Sequence, residues 1–274
     1  MPTKLETVEH QTLKNLASEL RLKVVEMSHF GKSAHLGSCL STIEIMTVLY
    51  FDILELDPRK PNDETRDVFI MSKGHAAMSL YATLAKRGYF PERNLQRYNL
   101  EGEILTEHPP AFGVPGVEAA TGSLGHGLPI AVGQALGKKI KQQNNKVYCL
   151  ISDGEANEGS IWESAMFASA QNLSNLIVFM DYNKWQATGR SCEILNTTPH
   201  APKWHSFGWN VEEVDGHDID QLIKAAKKPG EGPKIVIAET IKGKGFSFME
   251  DDNNWHYKIP TELDLQMAKK ELGL

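Results

Sequence analysis

Two apolar segments separated by a helical segment constrain the fold of this chain more than any other feature. Residues 146–151 (KVYCLI) and 176–182 (LIVFMDY) are apolar almost throughout, and residues 160–172 between them have helical character. A sheet with one solvated face shows alternating polar residues, whereas strands covered by helices on both faces do not. The pattern therefore predicts a strand–helix–strand crossover in a parallel sheet.

The same kind of pattern recurs along the chain, with a short apolar strand predicted at residues 68–71 and two more strands at 211–214 and 235–240. The sequence contains no internal repeat and no low-complexity linker. We therefore expect a single α/β domain over residues 1–274, with a mostly parallel sheet flanked by helices. Apolar residues at helical spacing predict further helices at residues 6–27, 41–51, 76–86, 128–142, 219–227 and 263–272.

Composition narrows the class of protein. Hydrophobic residues make up 41% of the 274 residues and charged residues 23%, which is the balance of a soluble globular protein. A net charge of −6 disfavours a general affinity for nucleic acid or for anionic membranes. Cys39, Cys149 and Cys192 are odd in number and far apart, which favours a reducing compartment. Since no segment resembles a signal peptide or a membrane span, we expect a cytoplasmic protein.

Polar residues follow the two central strands at the point where each strand ends. Asp153 and Gly154 follow the first strand, and Asn183 follows the second. Ligands of parallel sheets bind beyond the carboxyl ends of the strands, where these side chains are expected to lie side by side. Carboxylate and amide oxygens suit Mg²⁺, and Gly154 allows the backbone to approach a phosphate group. The alternative that Asp153 and Asn183 only form turns stays open at this point.

A long segment rich in glycine and proline, residues 101–127, is expected to line a site. Two apparent phosphate-binding motifs are rejected because each lacks a required glycine. Residues 31–33 resemble the end of a P-loop, but Glu26 occupies the position of its upstream glycine. Residues 125–127 resemble the start of a dinucleotide-binding loop, but Ile130 occupies the position of its third glycine.

Several histidines lie in predicted loops, where imidazoles bind phosphates or transfer protons. For any one of them a structural or surface role is the more common. The residues alone thus indicate an α/β enzyme with a metal–phosphate site. The histidines concerned are His35, His75, His108, His126 and His256.

Five blocks of sequence resemble the transketolase family of thiamine-diphosphate enzymes. The segment Ser152-Asp153-Gly154, with Asn183 thirty residues after Asp153, is similar to the Gly-Asp-Gly signature and later asparagine of enzymes that bind this cofactor. The blocks occur in the family's order across nearly the whole chain. They are SKGHAAMSLY, HPPAFGVPGVEAATGSLGHG, SDGEANEGSIWESAMFA, FGWNVEEVDGHD and IKGKGFSFMEDDNNWH.

The resemblance implies specific roles for these residues. Asp153, Asn183 and the backbone carbonyl of Trp185 are expected to hold Mg²⁺, or Ca²⁺ or Mn²⁺ in its place. The residues expected to bind the cofactor's diphosphate are Gly154, His75 and His256, and those expected against its rings are Gly122, Ser123 and Leu124. His35 and His256 are expected to move protons at the sugar, and His108 to hydrogen-bond the two-carbon fragment. Glu158 matches a family residue at a subunit contact.

The family's reaction transfers a two-carbon ketol unit from a ketose to an aldose. The chain resembles only the diphosphate-binding domain of a full transketolase, and the family's cofactor-activating glutamate lies in the pyrimidine-binding domain. The resemblance therefore implies the N-terminal subunit of a split enzyme, which is inactive until a C-terminal subunit joins it in an α2β2 assembly. Three positions depart from the family pattern: Ser152 replaces a glycine, His126 a common glutamine, and Ala34-His35-Leu36 the common Gly-His-Pro.

Two alternatives remain at this stage. One is a subunit of another thiamine-diphosphate enzyme, either the α subunit of a 2-oxoacid dehydrogenase or a deoxyxylulose phosphate synthase. The other is a non-catalytic regulatory protein that has kept the fold, for which Ser152 and His126 are the only support.

Overall fold

A five-stranded parallel sheet lies at the centre of the domain. The computed structural model describes residues 10–273. The strand order is β1-β2-β3-β5-β4, and every neighbouring pair is parallel. The strands are β1 (Val68–Met71), β2 (Val147–Ser152), β3 (Leu176–Tyr182), β4 (Asn210–Asp215) and β5 (Lys234–Glu239).

Helices connect the strands and cover both faces of the sheet. Between residues 10 and 273 they are α1 (His10–Gly31), α2 (Leu36–Leu40), α3 (Ile43–Val48), α4 (Ala77–Arg87), α5 (Gly127–Ile140), α6 (Gly159–Ala170), α7 (Ser191–Ile194), α8 (His200–Ser206), α9 (Ile219–Lys227) and α10 (Glu262–Glu271). The crossover predicted from the two apolar segments is β2–α6–β3.

Successive side chains along a strand point to opposite faces of the sheet and so pack into two different hydrophobic cores. Tyr148 and Leu150 of β2 pack on one face with α1 to α4, α9 and α10, whereas Cys149 and Ile151 pack on the other with α5, α6 and α8. Because both faces are buried, β2 carries no polar side chain before its last residue, Ser152. This confirms the prediction of one α/β domain with a parallel sheet flanked by helices.

Most predicted elements are present with small shifts at their ends. β1 and β3 have the predicted bounds, and residues 101–127 contain no strand before α5 begins at Gly127. Of the helix predicted at 6–27, residues 6–9 lie outside the described part of the chain, and α1 continues to Gly31. No helix within residues 10–273 has both the length and the apolar character needed to cross a bilayer.

The helix predicted at residues 41–51 is present as α3, which begins after Thr42 and continues into a π-helical turn at Leu49–Ile53. The short helix α2 before it was not predicted. It starts after His35, whose left-handed backbone (φ 67°) turns the chain into α2. α2 and α3 are separated near Thr42, whose hydroxyl donates to the carbonyl of Cys39 at 2.8 Å and so competes with the backbone hydrogen bonds of a continuous helix.

Candidate active site

A buried ion pair joins the carboxyl ends of β1 and β3. Lys73 and Asp181 have fully buried side chains, and Lys73 Nζ donates to Asp181 Oδ2. Asp181 also accepts hydrogen bonds from Ser41 Oγ at 2.7 Å, from Asn183 Nδ2 at 2.9 Å and from Thr240 Oγ1. Burial alone would raise the pKa of Asp181, but Lys73 and these hydrogen bonds hold it below its usual value. Sequence patterns pointed to neither Lys73 nor Asp181.

Asp153 and Asn183 leave the sheet at the same edge, because Ser152 pairs with Asp181 in the register of β2 and β3. Asp153 Oδ2 accepts a hydrogen bond from Ser191 Oγ at 2.6 Å, whereas its Oδ1 is buried without a partner. Burial raises the pKa of Asp153 to about 7. A buried oxygen without a partner is costly unless something binds it, so this atom fits a cation ligand.

Asn183 is oriented by its neighbours. Its Nδ2 is bonded to Asp181, which leaves its Oδ1 to accept the backbone N–H of Trp185 at 3.0 Å and keeps a lone pair free. Asn183 therefore does form the turn that the alternative interpretation expected, and the same oxygen suits a divalent cation. Within residues 10–273 no group of three or more His, Cys, Asp or Glu side chains is arranged to hold a metal.

Four histidines from distant parts of the sequence meet at this edge of the sheet. The ring of His35 lies 4.7 Å from that of His256, 5.5 Å from that of His75 and 5.9 Å from that of His108, measured between centroids. We call these residues the histidine cluster. His126 lies outside it and is exposed, with its Nδ1 3.1 Å from the carbonyl oxygen of Leu124.

Lys242 is paired with His256 of the histidine cluster. Its Nζ is buried, donates to Asn253 Oδ1 at 2.6 Å and lies 3.0 Å from His256 Nδ1. Burial lowers the pKa of Lys242 to about 7, and burial together with Lys242 lowers the pKa of His256 to about 3. His256 is therefore neutral, and its Nδ1 is paired with the amine of Lys242. Sequence reasoning missed Lys242, although it lies in the IKGKG block.

The loop Gly122–Leu124 is held close to the histidine cluster. A Cβ at Gly74 would lie 2.5 Å from the backbone nitrogen of Gly122, and one at Gly122 would lie 2.7 Å from His108 Cδ2. The backbone N–H of Gly125 donates to Glu155 Oε1 at 2.9 Å, which ties the loop to the end of β2. These close approaches require glycine at both positions, and they pack the loop against Gly74 and His108.

Comparison with known proteins identifies the family. Residues 12–274 match the model of the transketolase thiamine diphosphate binding domain. This chain belongs to the transketolase family. It is 41% identical to an apulose-4-phosphate transketolase subunit of Actinobacillus succinogenes, over 97% of each chain. It is 40% identical to a 6-deoxy-6-sulfo-D-fructose transketolase subunit of Clostridium sp. strain MSTE9, over 97% of this chain and 96% of that one.

Single-chain transketolases are longer. The chain is 37% identical to the Homo sapiens transketolase, but the match covers 95% of this chain and 42% of the human one. The structure of the Campylobacter jejuni transketolase superposes with a TM-score of 0.91 at 29% identity, over 97% of this chain and 43% of that chain. The chain thus spans less than half the length of these two transketolases.

The departure at Ser152 from the signature of this transketolase family has a structural consequence. Ser152 Oγ accepts the backbone N–H of Glu155 at 3.2 Å and so closes the turn that carries Gly154. A Cβ at Gly154 itself would lie 2.9 Å from Gln186 Cγ. Serine therefore fits at the first position of the signature, whereas a side chain at the third position would require Gln186 to move.

The Lys73–Asp181 pair generates a prediction about stability. Lys73→Met leaves a buried carboxylate without its cation, and we expect the free energy of unfolding to fall by about 3–5 kcal/mol. Lys141→Met removes an exposed lysine paired with Glu64 and should change it by about 1 kcal/mol or less. Urea unfolding measures the free energy of unfolding of both variants. An equal loss in the two would contradict the stabilising role of the buried pair.

Proposed function

We propose that this chain is the diphosphate-binding subunit of a split transketolase, active only with a partner that carries the pyrimidine-binding domain. The assembled enzyme transfers a two-carbon ketol unit from a ketose to an aldose. The observation that carries the proposal is the histidine cluster at the same sheet edge as the unpaired Oδ1 of Asp153. Relatives named as transketolase subunits, matched over nearly their whole length, support the split arrangement.

In this proposal thiamine diphosphate binds at the carboxyl edge of the sheet. Asp153, Asn183 and the carbonyl of Trp185 hold a divalent cation, which we take to be Mg²⁺, with Ca²⁺ or Mn²⁺ as substitutes. Gly154, His75 and His256 bind the diphosphate, and the loop Gly122–Leu124 lies against the rings. Once bound, the cofactor supplies the electron sink that allows a carbon–carbon bond to break.

The chain's own residues contribute charge and protons. Lys73 and Lys242 are buried near the histidine cluster. Lys73 is paired with Asp181, whereas Lys242, whose pKa burial lowers to about 7, would be held in its protonated form by a bound diphosphate. His256 is neutral, and its Nε2 is proposed to donate a hydrogen bond to a sugar oxygen. Burial lowers the pKa of His35, so its ring is neutral near neutral pH and is available as a proton acceptor during the reaction. His108 hydrogen-bonds the two-carbon fragment.

Calorimetry of thiamine diphosphate binding tests the cofactor site. Asp153→Ala removes the charged cation ligand, and we expect Mg²⁺-dependent binding to weaken about 100-fold or more. Asp63→Ala removes a carboxylate from an exposed loop and should leave binding unchanged. Unchanged affinity in Asp153→Ala would contradict the metal role. No Mg²⁺-dependent binding by the wild-type chain, even with its partner, would favour the regulatory alternative.

The outer surface of α5 and α6 supports the proposal of a partner. Met166 and Phe167 on α6 are 50% and 46% exposed, and Ile130 on α5 is 38% exposed. A surface helix normally presents polar residues to water, whereas α6 is apolar there too. Ser160 Oγ, at the start of α6, donates to the carbonyl of Gly125 at 2.7 Å, so α6 contacts the residue that follows the loop Gly122–Leu124. A partner seated here would complete the site.

The partner that we place on this surface is the subunit with the pyrimidine-binding domain, in an α2β2 assembly. The partner's other contact on this chain would be Glu158, which is exposed beside the start of α6. We also propose a cytoplasmic setting, which is supported by three cysteines that are all free thiols.

Association with the partner subunit tests this surface. Met166→Glu combined with Phe167→Glu places two charges on the surface, and we expect the affinity for the partner to fall about 100-fold. Leu263→Glu on α10 places a charge on a side chain that is 65% exposed and lies outside this surface. Sedimentation of the mixed subunits measures both variants. Equal affinities for the partner would show that it binds elsewhere.

A further inference from the structure

One carboxylate at the mouth of the histidine cluster has no part in the proposed function. The side chain of Glu107 is 37% exposed, and its Oε1 lies 3.9 Å from His35 Nε2. It precedes His108 in the sequence, within the irregular segment 101–127. Lys73 and Lys242 are buried, whereas Glu107 is in contact with solvent, so the cluster has lysines on its buried side and a carboxylate on its exposed side.

Glu107 is held in place rather than free to turn away. Ser33 Oγ donates to Glu107 Oε1 at 3.1 Å. Ser33 Oγ also lies 2.9 Å from the hydroxyl of the buried Tyr98, which donates to it because Ser33 has only one proton to give. This chain of hydrogen bonds fixes the carboxylate before any substrate binds.

The separation between Glu107 and His35 is suited to a third group. A distance of 3.9 Å is too long for a direct hydrogen bond between the two side chains. A hydroxyl between them can donate to the carboxylate and also contact the imidazole. An anionic group at the same point would face a fixed negative charge, which costs binding energy.

We propose that Glu107 is a specificity-determining residue, whose carboxylate selects substrates that present a hydroxyl beside His35 and rejects those that present an anionic group there. This inference rests on the proposed function, because it assumes that the substrate enters past the histidine cluster. Two effects produce this selectivity: the favoured substrate gains a hydrogen bond, and the disfavoured one is repelled by a like charge.

Two donors that deliver the same two-carbon unit test this role. L-Erythrulose is neutral and releases glycolaldehyde, whereas 3-hydroxypyruvate has a carboxylate next to the bond that breaks and releases carbon dioxide. Each is supplied to the complex of this chain with its partner subunit, thiamine diphosphate and Mg²⁺, with D-glyceraldehyde as the neutral acceptor. The quantity measured is the ratio of kcat/KM for hydroxypyruvate to kcat/KM for erythrulose.

Glu107→Gln keeps the shape and a hydrogen-bond acceptor but removes the charge, and we expect the ratio to rise about tenfold, mainly through a lower KM for hydroxypyruvate. In Glu107→Ala we expect the ratio to rise further, because erythrulose also loses its hydrogen-bond acceptor. Glu101→Gln makes the same change in net charge at an exposed position of the same segment and should leave the ratio unchanged.

The outcomes separate this inference from the proposed function. An active wild-type complex with the same ratio in both Glu107 variants would overturn the role of Glu107 alone, as would an equal rise in Glu101→Gln. A wild-type complex that transfers no two-carbon unit from either donor would overturn the proposed function and this inference with it.

Discussion

The contact between Lys73 and Asp181 is the interaction on which the rest of the site depends. Lys73 follows β1 and Asp181 lies near the end of β3, and these two strands are separated in the sheet by β2. Asp181 also bonds Ser41, between α2 and α3, and Thr240, after β5. One buried carboxylate therefore connects four segments at the carboxyl edge. Its bond to Asn183 sets the direction in which that side chain offers its oxygen.

Burial also determines the charge of the histidines at the carboxyl edge of the sheet. Because burial lowers the pKa of His75, His35 and His256, these three rings are neutral donors and acceptors of hydrogen bonds rather than cations. The buried cation nearby, Lys73, is already paired with Asp181. Neutral rings suit the hydrogen bonding and proton transfer that we propose for this edge of the sheet.

Sequence patterns predicted the parts of this structure that depend on neighbouring residues. The strands β1 and β3 followed from apolar runs, and four of the five loop histidines considered proved to lie together. The ion pair was missed because Lys73 and Asp181 are 108 residues apart and meet only through the order of the strands. The short helix α2 was missed for a different reason, since its start depends on the left-handed backbone of His35, which apolar spacing does not record.

The central claim is that this chain supplies half of a shared active site. Two-carbon transfer from a ketose to an aldose, measured with thiamine diphosphate and Mg²⁺ for each subunit on its own and for their mixture, tests it most directly. We predict turnover only in the mixture, rising with added partner until the subunits are equimolar. Turnover by this chain alone at the rate of the mixture would contradict the claim, and so would a mixture that forms a complex but transfers nothing.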